Sequence, residues 1–155
     1  MTTPVEISWF SALCDDDYEF LGVPNPALAS SWDHCRDIVT AADRNGFDNV
    51  LLPSGYTLGI DSTAFAAAIA THTENINLLL AVRMGEMWLP QLARQLASID
   101  QFADGRLTVN IISSDIPGEA LDSGPRYQRT REWMQTLRRL LDGESISFDG
   151  DFVHL

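Results

Sequence analysis

Polar side chains stand at three places along the chain where they could bind a ligand. Asn110 interrupts the apolar run Val109–Ile112, and a buried amide without partners costs about 1–3 kcal/mol. Arg126 and Tyr127 open a helical segment, where a guanidinium, a phenolic hydroxyl and a helix N-terminus together suit an anion such as phosphate. Arg83 ends another apolar run and could hold an oxyanion such as a sulfonate through two parallel hydrogen bonds.

Each of these residues also has a purely structural interpretation, which the sequence leaves open. Asn110 could hydrogen-bond a neighbouring loop in the core. Arg126 could be solvated, and Tyr127 could pack against the start of its helix. Arg83 could form a salt bridge with Glu86 or with a neighbouring loop.

A weaker candidate is the tripeptide Pro53-Ser54-Gly55 at the end of an apolar run. The Ser54 hydroxyl could bind a ligand, and Gly55 would let backbone come close to it. A tight strand-to-loop turn would have the same composition. Glu119, in the loop before Arg126, is expected to be solvent-exposed.

Other reactive residue types form no constellation. Cys14 and Cys35 lack a CxxC spacing and nearby histidines, so neither a disulfide framework nor a zinc site is indicated. We expect Cys14 to be a small semi-buried side chain. The run Asp15-Asp16-Asp17 fits a solvated loop or helix cap, and the three histidines are scattered. No metal site is predicted.

Composition excludes some kinds of partner. Among 155 residues the net charge is −12, and the ten cations are all Arg. Such an acidic surface repels phosphate backbones and anionic headgroups, so we expect neither nucleic acid nor membrane as a partner. The apolar runs are far shorter than the roughly 20 residues that span a bilayer. The first residues lack the features of a signal peptide, and we predict a cytoplasmic protein.

These candidates must be positioned by four apolar runs that alternate with four segments of helical periodicity. Strand–helix alternation predicts βαβ units with a parallel sheet in a single domain, residues 1–155. No Gly-x-Gly-x-x-Gly follows the first run, so a dinucleotide-binding fold is not supported. The pattern alone leaves open a small open sheet or half of an eight-stranded barrel. The predicted strands are Val5–Phe10, Asn49–Pro53, Ile76–Val82 and Leu107–Ser113, and a terminal hairpin is predicted from Ile146.

The segment Ala41–Gly55, AADRNGFDNVLLPSG, closely resembles the part of alkanesulfonate monooxygenases between the first helix and the second strand. These enzymes belong to the bacterial luciferase-like monooxygenases that use reduced FMN. Further similar segments follow in the same order and with almost no gaps: Ala81–Arg83, Ala93–Ala97, Ile99–Arg106, Asn110, Arg126-Tyr127, Trp133–Glu144 and Phe148–His154. The ordered set covers nearly the whole chain.

This resemblance implies a (β/α)₈ barrel, of which the chain supplies about the first four units. It implies FMN-binding roles for Ser54, Asn110, Arg126 and Tyr127, and it makes Arg83 a candidate for the substrate. It also implies a monooxygenase that uses FMNH₂ and O₂ to oxygenate a small organic substrate such as an alkanesulfonate, with a separate NAD(P)H-dependent flavin reductase and a homo-oligomeric state. Catalytic residues would lie in the family's second half, which is missing here.

The resemblance has two departures, and both leave the substrate open. Cys14 stands where alkanesulfonate monooxygenases have a His. The family's active-site Cys after the second strand is replaced by the stretch Tyr56–Asp61, which is one residue longer. Two rival hypotheses remain: an F420-dependent oxidoreductase of the same superfamily, and a non-catalytic half barrel that needs a partner chain.

Overall fold

Four strands form one sheet in the order β1-β2-β3-β4, in a computed structural model that describes residues 5–15, 17, 23, 25–56 and 59–155. The strands are β1 (Ser8–Phe10), β2 (Asn49–Leu52), β3 (Asn77–Arg83) and β4 (Leu107–Ile112). β1 pairs parallel with β2, and β2 with β3. The N–H groups of Leu78 and Met84 donate to the carbonyl oxygens of Arg106 and Ile112. Both partners advance together along the chain, so β3 and β4 are also parallel.

Four helices alternate with these strands, as the sequence predicts. They are α1 (Trp32–Arg44), α2 (Ser62–Ile69), α3 (Leu89–Phe102) and α4 (Ser123–Leu141). Ser31 caps α1, because its hydroxyl accepts the N–H of His34 at 3.2 Å. Asp61 caps α2 in the same way through the N–H of Ala64, at 2.8 Å.

The first strand is shorter than predicted. It begins at Ser8 and not at Val5. The reason is a side-chain contact from a distant part of the chain, since the N–H of Ile7 donates to the Asp48 carboxylate at 2.7 Å. A backbone group bound to a side chain is withdrawn from the pairing of the strand.

The chain divides into two compact units. The first contains residues 1–81 and 99–110, and the second contains residues 82–98 and 111–155. Strands β3 and β4 and helix α3 contribute to both. That the chain forms a single domain stays a prediction.

In the first unit, burial alternates along the strands. Val50 and Leu52 of β2 and Leu78 and Leu80 of β3 have no exposed surface. Their side chains share one face of the sheet, because alternate residues of a strand point the same way. The buried residues of α1 and α2 belong to the core of the same unit, and they include Cys35, Val39, Phe65 and Ile69. The opposite face carries Leu51 and Leu79, which remain half-buried.

Arg106 closes the amino ends of β3 and β4. Its guanidinium donates to the carbonyl oxygens of Ala70, Thr73 and Ile76 at 3.2, 3.0 and 2.6 Å. Three carbonyl oxygens therefore surround one cation, and the chain between α2 and β3 is fixed by it. The motif Asp104-Gly105-Arg106 thus has a structural role at this end of the sheet.

Asp43 holds the same connection from the other side. Its carboxylate accepts the backbone N–H groups of Glu74, Asn75 and Ile76 at 2.8 to 3.0 Å. Burial alone would raise the pKa of Asp43, but these three N–H groups and the charge of Arg106 outweigh it and lower the pKa. The carboxylate is therefore bound more favourably in the folded chain than in the unfolded one.

The terminal hairpin predicted from the sequence is present in the second unit. Phe148 and Leu155 exchange backbone hydrogen bonds of 2.9 and 2.8 Å, and an antiparallel bridge joins Asp149 to His154. The Glu132 carboxylate of α4 accepts the N–H of Phe152 at 2.9 Å and so attaches the turn to the helix. Over the described ranges, no helix is long and apolar enough to cross a membrane.

Candidate functional site

The predicted site residues lie in different elements: Ser54 follows β2, Arg83 ends β3, Asn110 lies within β4, and Arg126 and Tyr127 lie near the start of α4. Ser54 and Asn110 belong to the first compact unit. Arg83, Arg126 and Tyr127 belong to the second. The two groups are described separately.

Ser54 lines a cavity of about 220 Å³ in the first unit. Gly59 lies in the same wall, and a Cβ atom there would come within 2.1 Å of the Leu13 carbonyl oxygen. Only glycine therefore allows this loop to lie against the chain after β1. The N–H of Ile60 donates to the same oxygen at 2.9 Å. The complete lining is Leu13, Cys14, Ser54, Gly55, Gly59, Ile60, Asp61 and Ser62.

Two residues of the loop after β2 that was predicted to be longer, Thr57 and Leu58, lie outside the described residues. Asp16, of the acidic run Asp15-Asp16-Asp17, also lies outside them. Cys14 is half-buried, as expected for a small semi-buried side chain.

Asn110 lies in β4 and is half-buried. The two-residue period of a strand puts it on the same face as Thr108, which is exposed. No hydrogen bond joins its amide to another residue of the described ranges. The core hydrogen bond considered from the sequence is therefore not formed within them, and a ligand-binding role for Asn110 stays a prediction.

Arg83, at the end of β3 in the second unit, is only 4% exposed. Its Nε donates to the Ser114 hydroxyl and its Nη1 to the Glu86 carboxylate, each at 2.7 Å. A buried charge needs such partners. The structural alternative considered for Arg83, a salt bridge with Glu86, is thus present.

Arg126 lies in the first turn of α4 and has several polar neighbours. Its Nη1 is 3.1 Å from the Asp115 carboxylate, and its Nη2 donates to the Ser123 hydroxyl at 3.3 Å. Its Nε is buried and has no partner among the described residues. The side chain of Asp122, the residue before the helix, does not cap α4. A buried donor and an uncapped helix start are a donor set that an anion would complete.

Tyr127 follows Arg126 and is 65% exposed. An exposed phenol beside a helix N-terminus is accessible to a ligand. The alternative considered for Tyr127, packing against the start of its helix, does not describe a side chain with this exposure.

Arg129 is a site residue that the sequence did not single out. Although charged, it is 4% exposed. Its Nη2 donates to the Ser114 carbonyl oxygen at 3.0 Å, and its Nη1 forms a short ion pair with Glu119. Glu119 is exposed as expected, but it is also ion-paired. One signal was available, since residues three apart share a helix face and Arg129 follows Arg126 by three.

The loop after β3 lies directly against Arg129. Gly85 has a φ of +111°, and a Cβ atom there would come within 2.6 Å of the Ile116 side chain and 3.2 Å of Arg129 Nε. Glycine is therefore required both by backbone conformation and by space. In the part of the chain that the structure describes, no group of His, Cys, Asp or Glu could hold a metal ion.

Comparison with known proteins identifies the family to which the chain belongs. Residues 19–155 match the family model described as luciferase-like monooxygenase. The chain belongs to the luciferase-like monooxygenase family. Its fold is that of the family's barrel, of which it covers about the first four βα units.

Two curated relatives of the family are similar over almost the whole chain. A sulfoquinovose monooxygenase of Novosphingobium aromaticivorans is 60% identical over 97% of the chain, which corresponds to 43% of that relative. A sulfoquinovose monooxygenase of Agrobacterium fabrum is 49% identical over 94% of the chain and 38% of that relative. The chain thus spans about two fifths of the length of these relatives.

Solved structures of low sequence identity share the fold. The oxygenating constituent of 3,6-diketocamphane monooxygenase from Pseudomonas putida, in complex with FMN, is 17% identical with a TM-score of 0.76 over 97% of the chain and 43% of that protein. A coenzyme F420-dependent tetrahydromethanopterin reductase from Methanopyrus kandleri is 18% identical with a TM-score of 0.74 over 97% of the chain and 45% of that protein. At such identities the likeness concerns the fold alone.

Proposed function

We propose that the polypeptide containing this segment is a flavin-dependent monooxygenase that uses O₂ to oxygenate a small sulfonate, with sulfoquinovose as the first candidate. The observation that carries this proposal is the 60% identity to a sulfoquinovose monooxygenase over 97% of the chain. From the sequence we expected an alkanesulfonate as the substrate. Sulfoquinovose is a more specific candidate, because it is a sugar sulfonate.

Reduced FMN is the cofactor we propose. Arg126, Tyr127 and the uncapped start of α4 would hold its phosphate, since the buried Nε of Arg126 lacks a partner among the described residues. Ser54 and Asn110 would contact other parts of the flavin. When bound, reduced FMN would supply the electrons that activate O₂, while the chain binds and orients the flavin and excludes water.

Arg83 is our candidate for the sulfonate. It is a buried guanidinium at the carboxyl end of β3, where ligands bind in barrels of this kind. Its partner Glu86 is 36% exposed, so a sulfonate could take the place of this carboxylate without leaving a carboxylate buried and unpaired. A separate NAD(P)H-dependent flavin reductase and a homo-oligomeric state complete the proposal.

F420 is the alternative cofactor, and the F420-dependent reductase with the same fold favours considering it. The two hypotheses differ in product as well as in cofactor. A monooxygenase acting on a sulfonate releases sulfite in the presence of O₂, whereas a hydride transfer to or from F420 needs no O₂.

The native polypeptide that contains these residues can be tested directly. Supplied with FMNH₂, O₂ and sulfoquinovose, it should release sulfite, and reduced F420 should not replace FMNH₂. Anaerobic incubation is the control. Turnover with F420 in the absence of O₂, or no sulfite from any of several sulfonates, would contradict the proposal.

A further inference from the structure

One short segment of the second unit is a partner of three arginines. The Ser114 hydroxyl accepts from Arg83 and its carbonyl oxygen accepts from Arg129, while the next residue, Asp115, pairs with Arg126. Two of these cations, Arg83 and Arg126, are the proposed ligand-binding groups. The third, Arg129, is buried and has no proposed contact with a ligand.

Arg129 is attached to the backbone of this segment. A bond to the carbonyl oxygen of Ser114 fixes the main chain after β4, whereas bonds to the Ser114 hydroxyl and the Asp115 carboxylate depend on where that main chain lies. Arg129 also pairs with Glu119 further along the same loop. A planar guanidinium can make both bonds at once in a fixed geometry, which a lysine ammonium cannot.

Packing limits where Arg129 itself can lie. Its side chain is 4% exposed, and Gly85 approaches it so closely that a Cβ atom would come within 3.2 Å of its Cδ and Nε atoms. A side chain enclosed in this way has few alternative rotamers. It can therefore hold the loop in one position.

We propose that Arg129 is a positioning residue that, through Ser114 and Asp115, orients both Arg83 and Arg126 toward anionic ligands. The proposal rests on the proposed function, because it takes these two arginines as the binding groups. Loss of Arg129 should then weaken binding of two different anions together, although Arg129 touches neither.

The test uses the native polypeptide that contains these residues and its variants Arg129→Met and Arg129→Lys. Arg139→Met is the matched control, because Arg139 lies on the same helix as Arg129 and forms an exposed ion pair with Glu144. The Nε–H resonances of the arginines are followed by NMR during titration with inorganic phosphate and, separately, with methanesulfonate. Circular dichroism establishes that each variant is folded.

We expect Arg129→Met to raise the Kd for each anion about tenfold, the equivalent of about 1.4 kcal/mol, and to shift the free-state signals of Arg83 and Arg126. Arg129→Lys should restore neither signal nor affinity fully. A merely structural Arg129 would lower the unfolding midpoint but leave the Kd values of the folded protein unchanged. That result, or an equal effect of Arg139→Met, would overturn the proposal.

Two further outcomes are informative. If Arg129→Met does not fold, Glu119→Gln, which removes one charge and keeps the shape, should shift the same signals by a smaller amount; unmoved signals would overturn the proposal. If the parent chain binds neither anion, the proposed function of Arg83 and Arg126 in this chain fails. The positioning role is then decided by the signals without ligand, and unmoved signals in Arg129→Met would refute it.

Discussion

Asp43→Ala should destabilise the fold strongly, although Asp43 is not one of the proposed ligand contacts. The substitution removes the acceptor of three backbone N–H groups. Glu74 and Asn75 are exposed, so water can replace their bonds, each of which contributes about 0.5–1.5 kcal/mol. Ile76 is fully buried, and leaving its N–H unpaired costs about 1–3 kcal/mol. We expect a total loss of about 3 kcal/mol.

Asp43→Asn should cost about half as much, because its oxygen can still accept from two N–H groups while its amide nitrogen cannot accept from the third. Urea denaturation of the 155-residue chain, followed by circular dichroism, gives the free energies of unfolding. Asp33→Ala is the control, since Asp33 is 79% exposed and pairs only with Arg36 in the same helix. Asp43→Ala no more destabilising than this control would refute the reasoning.

The pH dependence provides a second check on the same residue. The pKa of Asp43 is lowered by folding, so its contribution to stability is complete above the unfolded-state pKa of about 4 and is lost as the pH falls through the folded-state pKa. The difference between the parent chain and Asp43→Ala should therefore be constant near neutral pH and shrink below about pH 4. A difference that grows on acidification would contradict the assignment.

Three further predictions follow from other sites. Gly85→Ala should destabilise the chain by about 2 kcal/mol, because φ is +111° and a Cβ atom would contact Ile116. The urea midpoint of this variant should therefore fall. The midpoint of the control Gly124→Ala should not fall, because a Cβ atom there has no neighbour within 4 Å. Tyr127→Phe in the native polypeptide should weaken FMNH₂ binding by about 1 kcal/mol; a fluorescence titration equal to that of the parent would contradict it. The 155-residue chain should bind oxidised FMN weakly, and tight binding would refute this expectation. The same chain should associate at micromolar concentration, because Trp9 and Phe10 of the edge strand β1 are 53% and 38% exposed. A monomer in light scattering would contradict this.

The four βα units could be predicted from the sequence because local signals mark them. Ser31 before α1 and Asp61 before α2 are capping residues, and both cap their helices as expected. The start of β1 could not be predicted, because it depends on a contact between Ile7 and Asp48 that lie 41 residues apart. Periodicity describes neighbours along the chain and contains no information on such pairs.

Candidate site residues could be chosen from their residue types, whereas the contacts between them could not be predicted. Arg126 and Tyr127 stand out in the sequence because they open a helix. Arg129 does not, since its importance arises from burial and from bonds to Ser114 and Glu119, which only the folded chain brings together. The resemblance to a family supplied the fold, and the contacts show which members of its motifs are structural.

Asp43 and Arg106 fix the amino ends of the strands in the first unit, whereas Ser54 and its cavity lie at the carboxyl ends of the same sheet. This separation has a consequence for how such a protein can change during evolution. Replacements in the loop after β2 would alter the wall of this cavity and leave the bonds of Asp43 and Arg106 intact. New substrates can then be accommodated by mutation without a new solution to the folding problem.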